Sequence, residues 1–287
     1  MGEIPPRLPD DRDAIGLLLA EAARRAAKLL LDRRSGRVVT KPDGTPVCAA
    51  DHAADAAAKR ALSELLPGIA VISEETVDGL VPGPEFILLD PLDGTREFLA
   101  GGDSYCVAIA LVREGRPVAG AIAAPQLGRL WFAGDHAFAQ DLGRLGDAEG
   151  EARRIIVRAE PADGPVALVS RFHGDDTSDK ALRAAGAGST APMSSAVKFG
   201  MIASGEADLH LRGGRTMEWD IAAGEAILRA AGGVVLTLDG TLPRYGRHRD
   251  GYANPPFVAA SNEALARRAL GCCADASRHD RVPSDAQ

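Results

Sequence analysis

The chain is short of cysteine, of net positive charge and of long apolar runs. Its 287 residues include four cysteines, Cys48, Cys106, Cys272 and Cys273. Their spacing fits no zinc site. They read as core or surface thiols in a reduced protein, so the cytoplasm is the expected location. Lys and Arg number 33 against 40 Asp and Glu, a formal charge of −7. This balance argues against a nucleic-acid groove or an anionic membrane partner. No apolar run is long enough to span a bilayer, and Met1 to Asp13 is polar and Pro-rich, unlike a signal peptide. No internal repeat is visible.

What is there describes a globular protein, with 46% hydrophobic and 25% charged residues. The length suits one large domain or two halves sharing a core. Helical spacing of Ile15, Leu18, Leu19, Ala22, Ala26, Leu29 and Leu30 predicts a helix from about Asp13 to Leu31. A loop or hairpin falls within Val38 to Val47, and a second helix covers Ala49 to Leu66, with Asp51 and Asp55 one turn apart. Buried strands are expected at Ile69–Ile72 and Ile87–Leu89, and strands at Tyr105–Arg113, Arg116–Ala124, Leu130–Ala133 and Ala137–Ala139 form an antiparallel run in the middle of the chain. Asp141 to Arg154 reads as an exposed loop. Beyond residue 160 strands and helices alternate: strands at Val166–Val169, Ala207–Leu211, Val234–Leu238 and Phe257–Ala260, helices near Asp179–Ala185, Ser195–Ser204, Trp219–Ala231 and Asn262–Leu270.

One stretch organises the rest, Ile87-Leu88-Leu89-Asp90-Pro91-Leu92-Asp93-Gly94-Thr95-Arg96-Glu97-Phe98. A short buried strand runs into Pro91 and Gly94, where the chain is expected to turn. Two carboxylates sit at that turn. Held together they repel, and one protonates unless a cation joins them. Oxygen-only ligands suit a hard ion, Mg²⁺ or Mn²⁺. A helical start near Thr95 would add backbone N–H groups that favour phosphate. An isolated Asp-x-x-Asp-Gly is also an ordinary turn or capping sequence. Two further acidic sites occupy comparable settings. Glu74-Glu75 follows a strand, and Asp220 opens a helix in Met217-Glu218-Trp219-Asp220-Ile221-Ala222-Ala223-Gly224. Alone, Glu74 is a solvated strand-end charge, Glu218 a helix-start charge and Asp220 a carboxylate favoured by the helix dipole.

Together, over roughly residues 38 to 262, these motifs resemble the inositol monophosphatase superfamily of Mg²⁺-dependent, lithium-sensitive phosphatases. Asp-Pro-Leu-Asp-Gly-Thr followed by Trp-Asp-Ile-Ala-Ala-Gly is a specific pair. The resemblance implies a layered α/β/α/β/α sugar-phosphatase-like fold, α+β/α/β in class, with two sheets flanked by helices. It divides into an α+β half over 1–160 carrying the metal-binding turn, an α/β half over 161–271 and a disordered tail over 272–287. It implies two or three Mg²⁺ ions. Glu74, Asp90 and the carbonyl of Leu92 would hold one, and Asp90, Asp93 and Asp220 a second. The attacking water would lie near Glu74 and Thr95, with Asp51 orienting the Thr95 hydroxyl. Glu74, Leu92, Asp93, Gly94, Thr95 and Asp220 would surround the reacting phosphate.

Three features point to the 3′(2′),5′-bisphosphate nucleotidase branch, the CysQ type. These are Thr95-Arg96-Glu97-Phe98, Ser170-Arg171-Phe172-His173 and Ser194-Ser195-Ala196-Val197-Lys198-Phe199. By this resemblance Arg171, His173, Ser195 and Lys198 contact the nucleotide or its second phosphate. One departure is Met193, where the branch has the more permissive Gly. The implied substrate is 3′-phosphoadenosine 5′-phosphate or its sulfated relative, with a role in sulfur metabolism and no nucleic-acid partner. A homodimer is compatible with this reading. An inositol or other sugar monophosphatase would share the same metal site. A haloacid-dehalogenase-type phosphatase is a poor match, because its aspartates are one residue apart. A non-enzymatic metal-binding module remains the remote alternative.

Overall fold

The computed structural model describes residues 10–32, 38–40, 46–77, 81–143, 150–172 and 176–279. Two helices come first, α1 (Arg12–Asp32) and α2 (Ala49–Leu65), separated by the pair β1 (Val38–Thr40) and β2 (Pro46–Cys48). A seven-stranded sheet follows in chain order: β3 (Ala70–Ser73), β4 (Glu85–Asp93), β5 (Cys106–Arg113), β6 (Arg116–Ala124), β7 (Arg129–Ala133), β8 (Ala137–Asp141) and β9 (Arg153–Ile155). Only β3 and β4 pair in parallel; every other neighbour is antiparallel. The five-residue helix α3 (Thr95–Leu99) sits between β4 and β5.

The second sheet has the order β11-β10-β12-β16-β14, built from β10 (Val166–Ser170), β11 (Ser189–Met193), β12 (Leu209–Arg212), β14 (Val234–Thr237) and β16 (Phe257–Ala260). Helices α4 (Asp176–Ala184), α5 (Val197–Ala203), α6 (Glu218–Ala230) and α7 (Glu263–His279) complete it, with a small pair of β13 (Thr216–Met217) and β15 (Ala253–Asn254).

Side-chain alternation sorts these elements into five layers. On β4 and β5, Ile87, Leu89, Val107, Ile109 and Leu111 face α1 and α2. Their neighbours Phe86, Leu88, Ala108, Ala110 and Val112 face α5 and α6. The same central layer meets Phe257 and Ala259 of the second sheet, while Val258, Ala260, Leu209 and Leu211 face away towards α4 and α7. The order is therefore α/β/α/β/α, as expected. Burial of β4 on both faces explains its unbroken apolar run. Gly120 of β6 lets α6 lie directly on the first sheet: a Cβ there would stand 2.8 Å from the Ala223 carbonyl oxygen. That contact fixes the helix whose first turn carries Asp220.

Several expectations change. The chain does not turn at Asp90. Strand β4 continues to Asp93, and its register against β5 slips between Asp90–Ala108 and Asp93–Cys106. This is a bulge, and Pro91, which has no N–H for the ladder, suits it. Strand β11 was not expected; its sequence Ser-Thr-Ala-Pro-Met lacks an apolar pattern and pairs only at a sheet edge. Arg153–Ile155 at the end of the expected loop forms β9. Helix α7 continues to His279 rather than stopping near residue 271, so the first half of the expected tail is helical; residues 280–287 lie outside the described residues.

Candidate active site

Beyond the bulge, Gly94 takes φ 89° and ψ 37°, caps α3 and frees the chain to leave the strand. A side chain there would also crowd the site, since its Cβ would lie 3.3 Å from Ser195 Cβ and 3.4 Å from the Ser104 carbonyl oxygen. The bulge, α3, the end of β10, the start of α5, β12 and the start of α6 surround one cleft of about 870 Å³. Glu74, Asp90, Leu92, Asp93, Gly94, Thr95, Arg171, Ser195, Lys198 and Asp220 all line it. Residues as far apart in sequence as Glu74 and Asp220 are thus brought to one cleft.

Each aspartate is anchored by the backbone. Asp90 Oδ1 accepts from Leu92 N at 3.0 Å, Asp93 Oδ2 from Ala196 N at 2.5 Å and Asp220 Oδ2 from Met217 N at 2.7 Å. Asp93 thereby ties the Asp90–Asp93 bulge to the second half of the chain. Burial, then the charges of Glu74, Asp93 and Asp220, push the Asp90 carboxyl well above the usual carboxylate range. Burial and the charges of Asp93 and Glu74 do the same to Asp220. Burial also raises Asp93, against the opposing pull of Lys198 and Arg212. Among the described residues no group of three or more Asp, Glu, His or Cys side chains is arranged to hold a metal ion. The donor chemistry nonetheless fits a hard divalent cation: buried, mutually repelling carboxylates with oxygen donors only.

Asp51 lies behind this cluster, in the first turn of α2. Its Oδ2 accepts from Cys48 N and Cys48 Sγ, both at 2.9 Å. Its Oδ1 is 3.2 Å from Thr95 Oγ1, which is also 3.1 Å from the Leu92 carbonyl oxygen. A hydroxyl has one proton, so Thr95 donates to one of these acceptors at a time. Glu74 begins a short 3-10 turn whose cap, Ser73, accepts from Glu75 N at 3.3 Å and donates to Asp55. Asp51 and Asp55, one turn apart, thus brace both Thr95 and the Glu74 turn.

The opposite wall is cationic. Lys198 is buried; Nζ donates to the carbonyls of Ser195 at 2.8 Å and Met193 at 3.3 Å. Burial pulls its pKa down to about 8, offset in part by Asp93. Met193 is not under strain: among the described residues the positive φ in this loop belongs to Ser195, at 58°. Arg171 donates to Glu97 Oε1 at 2.6 Å. His173 lies outside the described residues.

Sequence reasoning missed three contributors. Glu97 was read only as a branch marker. His210 and Arg212 on β12 also line the cleft. The signal was their alternation with Leu209 and Leu211, which puts both polar residues on one face. His210 Nδ1 donates to the Leu168 carbonyl at 2.8 Å; because a carbonyl only accepts, Nδ1 carries the proton. Burial and the charges of Lys198 and Arg212 hold it well below the usual imidazole range, hence neutral. Glu218 is no exposed helix-start charge. It is fully buried and accepts from Gly246 N at 2.6 Å and Arg247 N at 2.8 Å.

Among the described residues, no helix is long and apolar enough to cross a membrane. Comparison with known proteins gives a consistent result. The 3′(2′),5′-bisphosphate nucleotidase CysQ of Salmonella typhimurium is 36% identical over 220 residues, covering 76% of this chain and 86% of that protein. The protein of the same description from Escherichia coli strain K12 is 33% identical over 246 residues, covering 83% and 96%. The crystal structure of CysQ from Bacteroides thetaiotaomicron, a bacterial member of the inositol monophosphatase family, superposes with a TM-score of 0.71 at 27% identity, covering 86% of this chain and 97% of that one. With residues 12–273 matching the inositol monophosphatase family and the bulge, cap and helix start of its motifs all facing one cleft, the chain belongs to that family of phosphatases.

Proposed function

We propose that this chain hydrolyses the 3′-phosphate of 3′-phosphoadenosine 5′-phosphate, or of its sulfated relative, in the cytoplasm. The similarity to CysQ nucleotidases supports the substrate class. The observation that carries it is Lys198. An ammonium has three N–H donors, and among the described residues two are used, both on backbone carbonyls. The third serves a substrate anion on the wall opposite the carboxylates. Lys198 already offsets part of the charge of Asp93, and a second phosphate would give its remaining N–H a partner.

Glu74, Asp90, Asp93, Asp220 and the Leu92 carbonyl would hold Mg²⁺, in two or three ions, and lithium sensitivity belongs to the same proposal. Bound there, such ions supply charge neutralisation to the transferring phosphoryl group and activation of water. The chain's own residues do the rest. Thr95 Oγ1 receives a proton from the attacking water as its own passes to Asp51, which Cys48 holds in place through two donors. Gly94 and Thr95 offer backbone N–H groups to the reacting phosphate. Ser195 and Lys198 orient the nucleotide from the other wall.

The test is phosphate release from 3′-phosphoadenosine 5′-phosphate and from inositol 1-phosphate, with and without Mg²⁺. A kcat/KM at least about tenfold in favour of the nucleotide is expected, about 1.4 kcal/mol of extra transition-state binding. Preference for inositol 1-phosphate would instead select a sugar monophosphatase using the same carboxylates.

A further inference from the structure

Glu97 is 1% exposed, yet neither the metal cluster nor the reacting phosphate uses it. Its two oxygens have different partners. Oε1 accepts from Arg171 Nη1 at 2.6 Å, and Oε2 from Ser194 Oγ at 2.8 Å. Gly102 closes the space beside it, since a Cβ there would lie 2.0 Å from Oε1. The carboxylate is therefore walled in and committed to these two donors.

The partners lie on different elements. Arg171 follows β10, and Ser194 precedes Ser195 and Lys198 at the start of α5. Glu97 itself is on α3, the helix that leaves the Asp90–Asp93 bulge through Gly94. One buried side chain thus spans the distance from the carboxylate cluster to both segments of the cationic wall. We infer that Glu97 is a positioning residue that sets the spacing between the reacting phosphate and the substrate's second phosphate, and so favours bisphosphates over monophosphates. This rests on the nucleotidase reading above. The physical basis is rigidity: Arg171 is itself exposed, and its charge-assisted pair to the buried Glu97 carboxylate restricts the rotamers it samples.

The test uses the full chain with Mg²⁺ and two substrates that differ only in the second phosphate, adenosine 3′,5′-bisphosphate and adenosine 3′-monophosphate. E97Q preserves shape but places an amide NH₂ against one of the two donors. It is expected to raise KM for the bisphosphate about tenfold more than for the monophosphate, with kcat for both held within about threefold. In an R171A background the same substitution is expected to change that ratio by less than about threefold, because its main route of action is already gone. Equal KM changes for both substrates, or a lower KM for the bisphosphate, would overturn the inference and leave Glu97 a counter-charge. A wild-type enzyme without preference for the bisphosphate would overturn the nucleotidase reading and this inference with it. Should E97Q not fold, S194A removes one of the two bonds and carries the same expectation at smaller size; equal KM changes there would overturn it too.

Discussion

Mg²⁺ binding at the proposed carboxylate site is expected to show in the stability of the fold. Asp90, Asp93 and Asp220 all have carboxyls held above their ordinary range by burial and, for Asp90 and Asp220, by neighbouring negative charge. A carboxyl raised in the folded state binds its proton more tightly there than in the unfolded chain. Its contribution to stability is present below the unfolded value, about 3.9, and is lost as pH rises through the folded one. The metal-free protein is therefore strained at neutral pH by its own site. A cation that binds only the folded form offsets this by about 2.7 kcal/mol at a hundred times its Kd. With about 2.1 cal/mol/K of unfolding entropy per residue over 287 residues, that is a rise in Tm of about 4–5 °C. Protonated carboxyls do not hold Mg²⁺, so the gain is expected to shrink towards about pH 5. Asp220→Asn keeps an acceptor for Met217 N but deletes one charge. It is expected to raise the metal-free Tm at about pH 7.5, to abolish the Mg²⁺ gain and to remove turnover. Thermal unfolding in EDTA and in Mg²⁺, at both pH values, reads all of this. An equal Mg²⁺ gain at the two pH values, or a wild-type gain in Asp220→Asn, would refute the assignment of these carboxylates to a metal.

Gly94→Ala combines a positive φ with a Cβ placed 3.3 Å from Ser195 Cβ, and is expected to cost about 2–4 kcal/mol in urea unfolding. A loss under about 0.5 kcal/mol would mean the cap does not need glycine. Thr95→Val deletes the hydroxyl bonded to Asp51 and Leu92, so kcat is expected to fall by about 10²-fold or more while the far-UV spectrum is retained; near-normal kcat would remove Thr95 from the proton path. Lys198→Ala is expected to raise KM for the bisphosphate more than for the monophosphate, measured by phosphate release, and equal effects would deny it the second phosphate. Glu225, buried beside Tyr245, has its pKa raised from 4.5 to about 7. Its stabilising contribution is present below about pH 4.5 and fades up to about pH 7, so Glu225→Gln is expected to be the less pH-sensitive of the two proteins in Tm between about pH 5 and pH 8. A parallel pH profile would show that Glu225 titrates normally.

Much of this protein was legible without coordinates. Apolar periodicity located α1, α2 and the central strands because both faces of the first sheet are buried, and burial imposes pattern. The acidic motifs located the carboxylates because their chemistry depends on residue type and short spacing. The bulge at Pro91 was not legible: a turn and a bulge need the same residues, and only pairing with β5 separates them. Strand β11 was not legible either, since a polar edge strand carries no hydrophobic signal. The sequence marked Glu97, Arg171 and Lys198 as members of motifs but gave them no geometry. Their arrangement depends on α3, β10 and α5 meeting across two sheets, through contacts between residues 74 to 97 positions apart. Local sequence dictates which groups can ionise, cap or turn, because those properties belong to a few neighbouring atoms. Which ionised groups face one another, at what distance and how deeply buried, is a property of packing, and only the folded chain decides it.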